Sequence, residues 1–123
     1  MNAAFSTSQI PPSAVGHARQ PNEFDLQRVI RLLERRVRYR YVTPTVEICD
    51  SGYRIHSPCC SRNVDAGGGV IDIARLEYDA SVDCWKLYRK DHVLQRWQFH
   101  HAARRLDEVM DCVNEDPTRV FWQ

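Results

Sequence analysis

The residues best suited to chemistry lie in the segment YRIHSPCCSRNVDAGGG, in which two adjacent cysteines follow a proline. His56, Cys59 and Cys60 stand close together here, and His100 follows near the end of a later strand-like segment. Zinc and iron both accept thiolate and imidazole ligands. The segment therefore predicts a site for zinc, iron or a metal-centred cofactor at His56, Cys59, Cys60 and His100. The alternative is structural, because adjacent cysteines match no paired metal-ligand spacing and one of them could simply pack inward.

The same segment supports two other interpretations. Arg62, two residues after Cys60, would favour a thiolate and suit a thiol redox switch. Alternatively, Ser61, Arg62, Asn63 and Asp65 precede three glycines and could hold a small anion, since backbone amides can approach a phosphate closely at glycine. Phosphate-binding loops usually lie directly before the N-terminus of a helix, however, whereas this segment leads into a strand. A flexible connection before the strand is the simpler alternative.

A basic stripe marks the first predicted helix. Arg28, Arg31, Arg35 and Arg38 fall near the face opposite its apolar residues. Such a stripe could contact RNA or a protein partner, or it could be an ordinary solvated face. The formal net charge of +1 counts against nucleic acid, and no RNA-binding signature is present.

The bulk composition predicts a single globular domain in the cytoplasm. The 123 residues are 43% hydrophobic and 27% charged, as in ordinary globular proteins. No apolar run approaches the roughly 20 residues of a membrane span, and the N-terminus lacks the features of a secretory signal. Five cysteines, an odd number, indicate free thiols in a reducing compartment. Nucleophile-elbow, paired-histidine zinc and Walker motifs are absent from the sequence, so we expect a non-enzymatic module.

Hydrophobic periodicity predicts the elements that carry these residues. Asn22 is a good helix N-cap, and the helical period from Leu26 extends to Val37. The period then becomes two. If Asp50 and Ser51 form a hairpin tip, three pairs face one another: Val46 with Ile55, Glu47 with Arg54, and Ile48 with Tyr53.

The later strands are predicted in less regular form. The apolar phase of VIDIARLEY shifts midway, which indicates a bulge near Ala74 or burial on both faces. One register of the last two strands pairs Trp85 with Trp97 and Tyr88 with Leu94. A second helix begins at about Ala102, and an aromatic C-terminus follows it.

These elements predict an α+β fold with an N-terminal helix, an antiparallel meander of about five strands and a C-terminal helix. We expect residues 1–21 to be a weakly structured arm and residues 22–123 to be a single domain. A homodimer could form through an exposed strand, the arm or the aromatic C-terminus. No membrane partner is expected.

The stretches SPCCSRN, IDIA, WKLYRKDH and NEDPTRVFWQ resemble a family of small bacterial proteins of unknown function. The resemblance runs from the first helix to the C-terminus and leaves out the arm. It implies a bacterial, cytoplasmic single domain. It carries over no catalytic or ligand-binding residue.

Overall fold

The computed structural model describes residues 19–58, 67 and 69–123. These residues contain two helices and five strands, in the order α1 (Glu23–Leu33), β1 (Thr45–Cys49), β2 (Gly52–Pro58), β3 (Val70–Asp79), β4 (Cys84–Asp91), β5 (Arg96–Ala103) and α2 (Leu106–Glu115). The strands form an antiparallel sheet in sequential order. The predicted α+β architecture is confirmed.

Helix α1 begins at the predicted N-cap and ends earlier than predicted. The Asn22 Oδ1 atom accepts a hydrogen bond from the Asp25 amide at 2.7 Å. The helix stops at Leu33, and Val37 is 65% exposed, so the prediction that Val37 extends the apolar face is wrong. Arg40 Nη1 instead donates to the carbonyl oxygens of Glu34 and Arg36, which lie beyond the last helical turn. The chain therefore leaves the helix before the apolar period ends.

The β1–β2 hairpin has the predicted register. Val46 pairs with Ile55, Glu47 with Arg54 and Ile48 with Tyr53. Gly52 closes the two-residue turn, and a Cβ atom at this position would lie 2.0 Å from the carbonyl oxygen of Leu76. Only glycine fits here, because that distance lies well inside van der Waals contact.

The longer strands contain two irregularities. Between β2 and β3 the register shifts so that Ile55 pairs with Ala74 and His56 with Asp72. The extra residue, Ile73, is the bulge predicted near Ala74.

Between β4 and β5 the predicted register is wrong. Trp85 pairs with Ala103, and Tyr88 pairs with Phe99. Because β5 runs to Ala103, the second helix begins later than Ala102.

Both helices pack on one face of the sheet. The core combines helix residues such as Val29 and Met110 with strand residues such as Tyr53, Ile55 and Leu87. Phe121 and Trp122 are each 1% exposed, which places the aromatic C-terminus in this core. In the described residues the aromatic C-terminus is therefore part of the core and not an exposed apolar surface.

A buried aspartate anchors that terminus. Asp116, the left-handed C-cap of α2, accepts hydrogen bonds from the backbone amides of Val120, Phe121 and Trp122. A carboxylate that receives several amide hydrogen bonds can be buried at little cost. The DPTRVFW stretch therefore has a structural role in the described residues, which is to hold the C-terminal aromatic residues in the core.

Candidate functional site

The two histidines of the predicted metal site lie on different strands. His56 is on β2 and His100 on β5, with β3 and β4 between them. Adjacent strands are about 4.8 Å apart, so this separation is roughly 14 Å. His100 packs edge-on against Phe121 with ring centroids 4.9 Å apart, on the helix side of the sheet. The structure does not bring His56 and His100 together, and one ion cannot bind both.

The rest of that prediction concerns residues outside those described. Cys59, Cys60, Ser61, Arg62, Asn63 and Asp65 all belong to this group. Within the described ranges, no three His, Cys, Asp or Glu side chains are grouped so as to hold a metal ion. The metal, redox and anion-loop interpretations of the segment therefore stay predictions.

The four arginines of the predicted stripe separate into two groups. Arg28 and Arg31 lie on α1, and Arg35 lies in the turn after it; all three line one open groove. Arg38 lies apart from them, and its Nε donates to the Asp116 carbonyl at the C-terminal end of α2 at 3.3 Å. Arg38 is thus a helix-capping residue in this structure.

We call this feature the arginine groove. It has a volume of about 680 Å³ and lies between α1 and the N-terminal end of α2. Five arginines and three acidic residues line it: Arg28, Arg31, Arg35, Arg104 and Arg105, with Asp25, Glu34 and Asp107. Cations outnumber carboxylates even though the whole chain is almost neutral.

Two of the five arginines are held by neighbouring carboxylates. Arg28 Nη1 lies 2.9 Å from Asp25 Oδ1, and Asp25 is itself 6% exposed. Arg105 donates to both carboxylate oxygens of Asp107, at 3.1 and 2.7 Å. The hydrogen bond from Arg105 lowers the pKa of Asp107. These two cations are therefore partly neutralised within the groove.

The other three arginines are different. Among the described residues, Arg31, Arg35 and Arg104 have no carboxylate within ion-pair distance and no hydrogen bond from their guanidinium groups. All three are exposed. Guanidinium groups are always charged and present several N–H donors in one plane, which suits phosphate and carboxylate oxygens.

The floor of the groove is apolar and aromatic. Leu106 and Trp85 are buried there at 1% and 4% exposure, and Tyr78 and Leu32 are half-buried. The Tyr78 and Trp85 rings have centroids 5.3 Å apart. Donors at the rim and rings below are the features of a site for an organic anion.

Residues 17–123 match the model of a domain of unknown function, DUF3024. The chain belongs to this family. Neither a curated protein nor a solved structure matches the chain. The arginine groove of this DUF3024 domain lies entirely within the matched residues.

Sequence reasoning missed two of the five arginines that line the groove. Arg104 and Arg105 were placed inside the second predicted helix, where they carried no signal. In the structure they lie between β5 and α2, with Arg105 as a helix N-cap whose side chain makes no capping bond. Two arginines directly before an apolar helical period were the available sequence signal.

The opposite side of the DUF3024 sheet gives a contrast. We call the strand side chains that point away from the helices the outer sheet face; they include Glu47, Arg54, His56, Asp72, Arg75, Glu77, Tyr88, Lys90, Trp97 and Phe99. Asp72 accepts hydrogen bonds from Arg54 and, at 3.0 Å, from Lys90. Burial alone would raise the pKa of Asp72, but these bonds outweigh it and hold the pKa below its usual value.

Other charges on the outer sheet face are also paired. Arg54 bonds Glu47 at 2.9 Å, and Arg75 bonds Glu77 at 2.8 Å. The His56 Nε2 atom lies 2.7 Å from Glu47 Oε2, although not in hydrogen-bond alignment. Arg54, Arg75 and Lys90 therefore all have carboxylate partners on this same face.

Neither helix in the described part of the DUF3024 chain has the length and apolar character needed to cross a bilayer.

Proposed function

We propose that this DUF3024 domain is a binding module for a multiply charged anion, which it takes in the arginine groove. The observation that carries the proposal is the trio Arg31, Arg35 and Arg104: all three line one groove, and their guanidinium groups have no carboxylate partner in the described residues. An anion with several negative oxygens would supply the missing acceptors.

The position of the groove adds to its positive potential. The N-terminal end of α2 lies in its lining, at Leu106 and Asp107. The helix dipole places partial positive charge at that end and favours anions by about 0.3–1 kcal/mol at exposed sites. The Asp107 carboxylate already interacts with this end of the helix dipole. We therefore expect the dipole to add about 0.3 kcal/mol to the binding of an anion, the lower limit of that range.

A role in helix stability would explain Arg31 but not all three unpaired arginines of the groove. Arg31 lies in the last turn of α1, where a cation stabilises the helix dipole. That reason does not apply to Arg104, which precedes α2 and lies at the wrong helix end for a favourable dipole interaction. Like charges brought near one another without partners cost stability, so their convergence favours a binding role.

Calorimetric titration with inorganic triphosphate tests the proposal. Wild-type protein should bind, and each of Arg31→Gln, Arg35→Gln and Arg104→Gln should weaken binding by about tenfold or less per lost contact. Each variant should also reduce the slope of log K against log salt concentration, because fewer counterions are exchanged. Arg96→Gln is the matched control, since this exposed residue at the start of β5 lies outside the groove.

Two results would contradict the proposal. One is no measurable binding by wild-type protein at low salt. The other is an equal loss in Arg96→Gln and in the three groove variants, which would indicate attraction by overall charge alone.

A second proposal keeps the metal or cofactor site at His56, Cys59 and Cys60, without His100. It is favoured by one observation: the His56 side chain is only 18% exposed, and its Nε2 makes no well-aligned hydrogen bond in the described residues. Elemental analysis of untagged protein should show stoichiometric zinc or iron that is lost in Cys59→Ser/Cys60→Ser. Metal-free wild-type protein would contradict this second proposal.

A further inference from the structure

We infer that the anion taken by the arginine groove is a nucleotide, either a free nucleoside polyphosphate or a nucleotide unit of single-stranded RNA. This inference rests on the proposed function and specifies the chemical class of its ligand. It is drawn from the floor of the groove, which an inorganic anion would leave unused.

The first observation is the layering of the groove. Exposed arginines form its rim, whereas Trp85 and Leu106 are buried at its floor and Leu32 and Tyr78 are half-buried. Its volume of about 680 Å³ falls within the range of roughly 300–1,000 Å³ that is typical of organic ligand sites. A ligand that matches both layers has a flat apolar ring joined to a group with several negative charges.

The second observation concerns the Trp85 indole. Trp85 is 4% exposed and lines the groove, and in the part of the chain that the structure describes its Nε1–H has no acceptor, although this atom still reaches solvent. Trp122 is buried to a similar degree, and its Nε1–H donates to the Val113 carbonyl at 2.9 Å. An indole N–H that has no acceptor in the protein is available to donate to a ligand. An acceptor atom on a bound ring would satisfy the Trp85 donor.

The two observations select among anions. Phosphate or triphosphate would satisfy the arginines but not the aromatic floor. A nucleobase is planar, carries ring nitrogen and carbonyl acceptors, and stacks on aromatic side chains. Its phosphates would reach the unpaired arginines at the rim. Nucleotides therefore combine the required parts in one molecule.

Titration with three ligands tests the inference. Adenosine triphosphate, uridine triphosphate and inorganic triphosphate are compared at equal salt, and a short single-stranded oligouridine distinguishes the RNA source from the free nucleotide. We expect nucleotides or the oligonucleotide to bind about tenfold more tightly than inorganic triphosphate, from one added hydrogen bond and ring burial. Trp85→Phe, which retains a ring but removes the N–H, should abolish most of that excess.

A measurement on unmodified protein guards against misfolding of the variant. In ¹H–¹⁵N spectra the indole signal of Trp85 should shift with a nucleotide and not with inorganic triphosphate, while the signal of Trp97 on the outer sheet face stays in place. Equal affinity for inorganic triphosphate with an unmoved Trp85 signal overturns the inference and leaves the proposed function standing. If none of these anions binds, the proposed function itself fails. Tighter binding of oligouridine than of either free nucleotide, with inorganic triphosphate still binding weakly, supports the RNA source.

Discussion

Arginines on the outer sheet face are held by carboxylates, whereas those of the arginine groove largely lack them. On the sheet, Arg54 contacts both Glu47 and Asp72, and Arg75 contacts Glu77. In the groove, Arg31, Arg35 and Arg104 have no such partner among the described residues. The two regions use the same side chain in different electrostatic settings.

The contrast separates charges that stabilise the fold from charges that do not. A cation between fixed carboxylates contributes to folding and has little left to offer a ligand. A cation without a partner contributes little to folding, and near other cations it costs a few tenths of a kcal/mol. The number of arginines therefore says less about binding than the number of arginines that the fold leaves unpaired.

The largest expected effect is on stability at the outer sheet face. Asp72→Asn keeps the shape of the side chain and removes the charge that Arg54 and Lys90 share. Because the Asp72 side chain is only 17% exposed, we expect the free energy of unfolding to fall by about 1–3 kcal/mol. Urea unfolding followed by circular dichroism measures this change. In Glu34→Gln, a matched change in the groove, the loss should stay within about 0.5 kcal/mol; equal losses would remove the contrast.

The next effect is the pH dependence of stability. Burial and the nearby Lys90 charge lower the pKa of His92, and burial with Arg89 lowers the pKa of His100. For both histidines the stabilisation is present above the unfolded value near 6.5 and is lost as the pH falls through it towards the lower folded pKa.

Unfolding free energy should therefore decrease between pH 7 and pH 5, and His92→Gln should flatten part of that decrease. Asp72 gives a separate loss only below its unfolded value of 3.8, since its folded pKa is also lowered. The groove arginines do not titrate between pH 6 and pH 8, so any change in triphosphate binding over this range should follow the titration of the ligand's own terminal phosphate, which has a pKa of about 6. A stability curve that is flat to pH 5 would argue against the lowered pKa values of His92 and His100.

The smallest effect is expected from the groove arginines themselves. Arg35→Gln and Arg104→Gln should change the unfolding free energy by no more than about 0.5 kcal/mol, because neither guanidinium has a partner to lose. Arg54→Gln is the comparison variant on the outer sheet face, where two carboxylates lose their donor. A larger loss in the groove variants than in Arg54→Gln would mean that the groove arginines serve the fold.

Local patterns predicted much of the fold. The Asn22 cap, the β1–β2 register and the bulge at Ile73 follow from side-chain chemistry and periodicity within short segments. The β4–β5 register could not be predicted from such local patterns, because the bulge between these strands and the continuation of β5 to Ala103 depend on contacts across the sheet. The early end of α1 likewise depends on contacts after the helix, such as the hydrogen bonds from Arg40 to the carbonyl oxygens of Glu34 and Arg36.

The candidate site was predicted only in part, for a related reason. Arg28, Arg31 and Arg35 were visible as a stripe because they lie close together in sequence. Arg104 and Arg105 join them only through the packing of α2 against α1, which no local pattern shows. The metal hypothesis combined His56 and His100 by residue type, and the strand order places them apart.

The most direct test is a ¹H–¹⁵N spectrum of the arginine Nε–Hε groups during titration with inorganic triphosphate. The signals of Arg31, Arg35 and Arg104 should move together with one binding curve, while those of Arg54 and Arg75 stay in place because carboxylates already hold them. Uniform small shifts of all arginines, or shifts confined to Arg54 and Arg75, would contradict the account.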